Sequence, residues 1–119
     1  MRTYRQHRVI SSKTAKHVRD AMEAIVQDGS GRYAKVYGYR VGGKTGTAQK
    51  PIENGLGYEE GAYIASFLGL LPIQSPRFAI LAVIDEPKTT IWGSTAAGPL
   101  FSDVAKVMVD YYDVTPDLN

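Results

Sequence analysis

The stretch Val41-Gly42-Gly43-Lys44-Thr45-Gly46-Thr47-Ala48-Gln49 places one cation, two hydroxyls and three glycines within six residues. Glycine lets a ligand or a second backbone come close to the chain. Lys44 offers a compact charge with three donors, and Thr45 and Thr47 add neutral ones. Such a cluster suits an anion, either a phosphate or a carboxylate. On a regular strand Lys44 and Gly46 face one way while Thr45 and Thr47 face the other. One ligand that touches all four must therefore lie along the strand's margin. The stretch reads as an edge strand whose unpaired backbone groups also serve the ligand.

The phosphate alternative has a literal match. Gly38 to Thr45 spells G-x-x-x-x-G-K-[ST], and Phe78 to Glu86 is an apolar run ending in an acidic pair, as a nucleotide-binding site requires. A phosphate loop, however, must lead straight into a helix whose first amides hold the anion. Here Thr47-Ala48-Gln49-Lys50-Pro51 follows, then Asn54-Gly55 and Gly57. Proline removes a helix donor and glycine disfavours helix. A nucleotide-binding module using Gly38 to Thr45 stays as the alternative, beside a non-enzymatic binding subunit that pairs with a nucleophile-bearing partner.

Working outward, residues 1–10 are basic and without a clear period, an extended arm. Ser11 or Ser12 supplies a helix N-cap. Ala15, Val18, Met22 and Ile25 then form a helical stripe, with Lys16, Arg19, Asp20 and Glu23 on the polar side. The helix is expected to end near Gln27, with Gly29 in the left-handed C-cap conformation. His17 lies off the stripe, and His7 sits alone among arginines; neither reads as a ligand. Arg32 to Tyr37 fits a short helical turn broken by Gly38. Tyr39 to Gln49 is the first strand, and Lys50 to Gly61 a long polar loop bordering the site.

Ala62 to Leu71 and Phe78 to Asp85 are nearly continuous apolar runs, as in strands buried on both faces. Pro72 and Pro76 bracket the connector of an antiparallel hairpin. Pro99 fits the first turn of a closing helix with a stripe of Leu100, Val104, Val107, Met108 and Tyr111. Asp85 and Glu86 invite an acid/base reading, but neighbours on a strand point to opposite faces, and a surface or capping role fits better. The fold class is α+β: a three-stranded antiparallel sheet flanked by an N-terminal and a C-terminal helix, both expected on one face. Covering the other face needs elements this sequence lacks, so the sheet is expected to be an incomplete piece. The Phe78 to Asp85 edge is then open to self-association.

At 119 residues, 44% hydrophobic and 22% charged, the chain is one domain at most, with a modest core. A net charge of +2, without interleaved aromatics, excludes a case for nucleic acid. Zero cysteines exclude disulfides and thiolate metal sites. No apolar run of membrane-spanning length and no signal peptide is present.

Three further segments accompany Val41 to Pro51 (VGGKTGTAQKP): Ala65 to Pro72 (ASFLGLLP), Arg77 to Lys88 (RFAILAVIDEPK) and Trp92 to Phe101 (WGSTAAGPLF). Together, over roughly residues 9–117, they resemble a class B penicillin-binding protein, most closely the division-specific, penicillin-binding protein 3-like branch. Lys-Thr-Gly is a signature of that family. The resemblance implies the penicillin-binding/β-lactamase-like transpeptidase fold, residues 11–119 being its C-terminal portion. It implies no cofactor and no metal.

It further implies a serine-type D,D-transpeptidase acting on D-Ala-D-Ala stem peptides of peptidoglycan, acylated also by β-lactams. Lys44, Thr45, Gly46 and Thr47 would be its catalytic residues. Lys44, Thr45, Thr47 and, more weakly, Trp92 would contact substrate. Its partners would be the remainder of the domain and divisome or elongation proteins. The parent would be anchored in the bacterial cytoplasmic membrane with this domain outside the cytoplasm; this chain has no anchor or signal. The nucleophile is missing: Ser11, Ser12, Ser30, Ser66, Ser75, Ser94 and Ser102 all lack a lysine three residues on and an asparagine two residues on. The chain alone is expected to be inactive.

Overall fold

A computed structural model describes residues 3–118. The elements are α1 (Ser12–Asp28), a 3-10 turn (Arg32–Ala34), β1 (Gly42–Pro51), β2 (Tyr58–Leu71), β3 (Phe78–Asp85) and α2 (Gly93–Tyr111). The strands form one antiparallel sheet in the order β1-β2-β3. This is the α+β arrangement that the sequence predicts.

α1 begins as expected, because the Ser11 hydroxyl accepts the Thr14 N–H at 3.1 Å and satisfies a donor the helix cannot. Its end differs. Gly29 is extended rather than left-handed, and the N–H groups of Gly29 and Gly31 both donate to the Ile25 carbonyl, at 3.1 and 2.9 Å. A Cβ on Gly29 would stand 3.0 Å from that oxygen, so glycine is used for close approach. The packed stripe is also rotated from the predicted one. Val26 is fully buried, Val18 is half exposed, and Glu23 leaves the polar side to meet Arg40.

Arg40 explains that rotation. Its Nη2 donates to Glu23 Oε1 at 2.6 Å, its backbone N–H to Asp117 Oδ1 at 2.9 Å, and its carbonyl accepts the Ile73 N–H at 2.8 Å. One residue thereby ties α1, the β2–β3 connector and the C-terminal tail to the start of β1.

In the sheet, β3 has the predicted bounds. β1 starts three residues later than expected and runs to Pro51, while β2 begins at Tyr58, so the polar loop shrinks to residues 52–57. The pairing continues as far as Pro51 opposite Tyr58, with a register irregularity after Gln49. Backbone pairing needs no apolar side chains, so hydropathy marks only the part of β2 that lies over the core.

Directly opposed residues share a face. Gly43, Thr45 and Thr47 lie opposite Gly69, Phe67 and Ala65, which pair onward with Ile80, Ala82 and Ile84. Phe67 meets Phe101 of α2 at a ring separation of 4.9 Å, so this is the face that α2 covers. The other face carries Lys44 and Gly46, Leu68 and Ser66, and Leu81 and Val83. Among the described residues it is uncovered there: Leu81 is 62% and Val83 49% exposed. The expected two-sided burial therefore holds on one side. Nor do both helices share a face. A Cβ on Gly42 would point opposite to that of Gly43, and there it would meet the Glu23 backbone nitrogen of α1 at 3.1 Å.

α2 corrects two expectations. It starts at Gly93, with Trp92 as N-cap and the Trp92 carbonyl accepting the Ala96 N–H at 2.8 Å, so Pro99 lies inside the helix rather than in its first turn. Its buried stripe is Ala97, Phe101, Ala105 and Val109, whereas Leu100, Val104, Val107 and Tyr111 are exposed. Met108 is part-buried. The helix is apolar nearly all round, so spacing offered two stripes. Gly69 decides between them, because a Cβ there would occupy the Phe101 ring.

Candidate active site

β1 is the border strand on its side of the sheet, paired only with β2 among the described residues. Lys44 is exposed on it, and its ammonium donates to the Thr45 carbonyl at 3.0 Å and to Thr45 Oγ1 at 3.3 Å. No carboxylate pairs with it among the described residues. Two of the three glycines turn out to serve packing rather than a ligand. A side chain at Gly42 would strike Ile73, and one at Gly43 would strike the Phe67 ring. Gly46 stands opposite Ser66, and a Cβ there would lie 2.5 Å from Ser66 Oγ.

Thr47 is exposed, yet its Oγ1 accepts the Gly93 N–H at 3.2 Å, so the first turn of α2 docks behind the motif. Trp92, 61% exposed, is carried to the same place by its bond to Gly93. The geometry thus brings Lys44, Thr45, Gly46, Thr47 and Trp92 to one stretch of sheet margin. The spelling Gly38 to Thr45 does not make a phosphate loop. Gly38 sits in a turn with φ 87°, and from Gly42 the chain is strand, with no helix following.

Asp85 and Glu86 are not an acid/base pair. Lys50 Nζ reaches Asp85 Oδ1 at 2.9 Å and Glu86 Oε2 at 3.7 Å. One cation meets both because Glu86 has left the strand with φ 52°, which cancels the alternation expected of neighbours. The hydrogen bond to Asp85 raises the Lys50 pKa above its ordinary 10.5, against desolvation, with Asp85, Glu86 and Glu59 adding attraction. Tyr39, whose hydroxyl donates to the Val114 carbonyl at 2.6 Å, is also raised above its ordinary 10.0, first by burial and then by Asp110, Asp113 and Asp117. Both groups hold protons in the folded state that the unfolded chain releases earlier. Their contribution is complete below about pH 10 and is lost as pH rises further. Urea midpoints should therefore fall above pH 10, and less steeply in Lys50→Met with Tyr39→Phe.

No group of metal-binding side chains occurs among the described residues, and no helix is long and apolar enough to cross a membrane. Of the serines, Ser66 alone lies opposite the motif, and Gly69 stands where a Ser-x-x-Lys lysine would be.

The family model of the penicillin binding protein transpeptidase domain matches residues 2–106. The chain belongs to that family. It is 43% identical over 112 residues to stage V sporulation protein D of Bacillus subtilis, covering 93% of this chain and 17% of that protein. It is 37% identical over 117 residues to the peptidoglycan D,D-transpeptidase FtsI homolog of Chlorokybus atmophyticus, covering 98% and 17%. The transpeptidase domain of Burkholderia pseudomallei penicillin-binding protein 3 superimposes with a TM-score of 0.83 at 38% identity, over 95% of this chain and 34% of that one. Penicillin-binding protein 3 of Mycobacterium tuberculosis, solved with ampicillin, gives 0.79 at 34% identity, over 92% and 27%. The chain thus spans 17% of the length of these curated relatives.

Two residues beside Lys44 to Thr47 gain their places only in the structure. Ser66 acquires its place only through strand register. Gly93 gains a specific partner in Thr47 from a helix start that Pro99 disguised.

Proposed function

We propose that residues 11–119 are the C-terminal part of the transpeptidase domain of a peptidoglycan D,D-transpeptidase, residues 1–10 being a basic arm leading into it. The observation that carries this reading is an exposed ammonium on a border strand, without a carboxylate partner among the described residues and close to Thr45 and Thr47. Lys44 attracts the C-terminal carboxylate of a D-Ala-D-Ala stem peptide, and the Thr47 backbone N–H forms half of an oxyanion hole, worth about 3 kcal/mol of barrier. A serine from another segment attacks the penultimate D-Ala carbonyl. The bond to the terminal D-Ala breaks, and its nitrogen leaves with a proton. The amine of a second stem peptide then displaces the serine and forms the cross-link. β-Lactams acylate the same serine.

The bare sheet face at Leu68, Leu81 and Val83 supports a partner segment that covers it and brings the nucleophile. The relatives' names, a sporulation protein and an FtsI homolog, support a role in peptidoglycan synthesis at division. The parent would be anchored in the cytoplasmic membrane, with this domain outside the cytoplasm.

The test uses fluorescent penicillin. The 119 residues alone remain unlabelled, and a polypeptide joining them to a segment with Ser-x-x-Lys becomes labelled on that serine. Stable labelling of the chain alone would contradict the division of labour, and no labelling of the joined polypeptide would contradict the family chemistry here.

A further inference from the structure

The hydrogen bond between α2 and the motif strand points to a role for a residue that carries no side chain. We infer that Gly93 is a positioning residue for Thr47: its N–H holds the Thr47 oxygen and leaves the Thr47 hydroxyl proton as the donor to a ligand carboxylate. This rests on the transpeptidase reading above and refines it, since two threonines compete for that role.

A threonine hydroxyl has one proton and two lone pairs. The Gly93 N–H occupies one lone pair of Thr47 Oγ1 at 3.2 Å, and no acceptor among the described residues takes the proton. Thr47 is exposed, so the proton is available to a ligand at the strand margin. Thr45 shares the occupied lone pair, since its Oγ1 receives the Lys44 ammonium at 3.3 Å, but it is only partly exposed, so its hydroxyl is less open to a ligand at the margin. A donor that is itself an acceptor from an N–H is polarised and binds an anion more strongly. The sequence N–H to O–H to carboxylate starts at the first residue of a 19-residue helix, whose positive end favours the same anion.

The position admits only glycine. A Cβ there would run into the Ser66 and Gly46 carbonyl oxygens and would stand 3.0 Å from the Gly46 nitrogen. All three are backbone atoms of paired strands, so α2 would have to back away and the bond to Thr47 would break.

The test is made on the protein carrying both these residues and the nucleophile. It compares acylation by a β-lactam with acylation by the methyl ester of the same compound, whose carboxylate is blocked. Damage to the fold lowers both rates; loss of positioning lowers only the first. We expect Gly93→Ala to reduce the carboxylate-to-ester ratio about tenfold, as removing a hydrogen bond to a charged group does. Thr47→Val should reduce it similarly, Thr47→Ser should restore most of it, and Gly93→Ala should add nothing in the Thr47→Val background. A wild-type ratio in Gly93→Ala, or full additivity of the two changes, would overturn the inference.

Amide exchange at Gly93 tests the bond without altering that residue, and it decides the matter should Gly93→Ala fail to fold. Exchange is expected to be slow in the wild type and Thr47→Ser, and fast in Thr47→Val. Equal rates in all three would overturn the inference. A wild-type protein that no β-lactam acylates would instead overturn the transpeptidase reading, with the exchange rates still deciding whether Gly93 holds Thr47.

Discussion

Lys44→Ala, made in the protein that holds both this chain and its nucleophile, is expected to slow acylation by penicillin at least about a hundredfold with no measurable change in melting temperature. The magnitude is that of removing one preorganised electrostatic group from a site where charge develops. The silence in stability follows from the surroundings. Lys44 is exposed and among the described residues its ammonium bonds only to Thr45, its neighbour in the chain, so nothing in the core depends on it. Lys44→Arg should restore only part of the rate, because a planar fork does not reproduce a compact ammonium. Stopped-flow acylation beside a thermal melt separates the two effects. A parallel loss of melting temperature and rate would mean that Lys44 is a structural residue.

Phe101→Ala is expected to cost about 3–5 kcal/mol of unfolding free energy, the range for deleting a fully buried aromatic. Phe101 and Phe67 are both fully buried, with rings 4.9 Å apart and tilted at 55°. Gly69 and Gly43 supply the bed: a Cβ on Gly69 would occupy the Phe101 ring, and one on Gly43 the Phe67 ring. The ring pair therefore presses α2 against β2, the strand that pairs with the motif strand. Urea titration reads the loss directly. Tyr111→Ala, 80% exposed on the other side of the same helix, should change stability little. Similar costs at the two positions would show that α2 packs on the stripe opposite to the one described.

That helix also shows where sequence reasoning stops. Phe78 to Asp85 was legible to the residue because an apolar run is cut off by Pro76 and Pro87, and the cap was legible as Ser11 or Ser12 because its chemistry is local, with the structure choosing Ser11. The buried side of α2 was not. Leu100, Phe101, Val104, Ala105, Val107, Met108 and Val109 surround the axis, so no period selects a face, and the choice is made by Gly69 some thirty residues away. The rotation of α1 has the same cause, a long-range partner in Arg40. In the site, the letters around Lys44 suited an anion without choosing between phosphate and carboxylate, and alternation alone placed β1 at a border. The letters could not show that Gly42 and Gly43 are glycines because Ile73 and Phe67 pack against them. Nor could they reveal that Thr47, 46 residues before Gly93, receives its amide.

The central claim is that the margin of β1 at Lys44 to Thr47 receives the acyl group and its carboxylate. The most direct measurement is a crystal structure of the nucleophile-bearing protein acylated by a carboxylate-bearing β-lactam. The account requires the acyl oxygen within hydrogen-bond reach of the Thr47 N–H, and the carboxylate beside Lys44 and the Thr47 hydroxyl. A ligand bound with its acyl oxygen and carboxylate both away from β1 would contradict it.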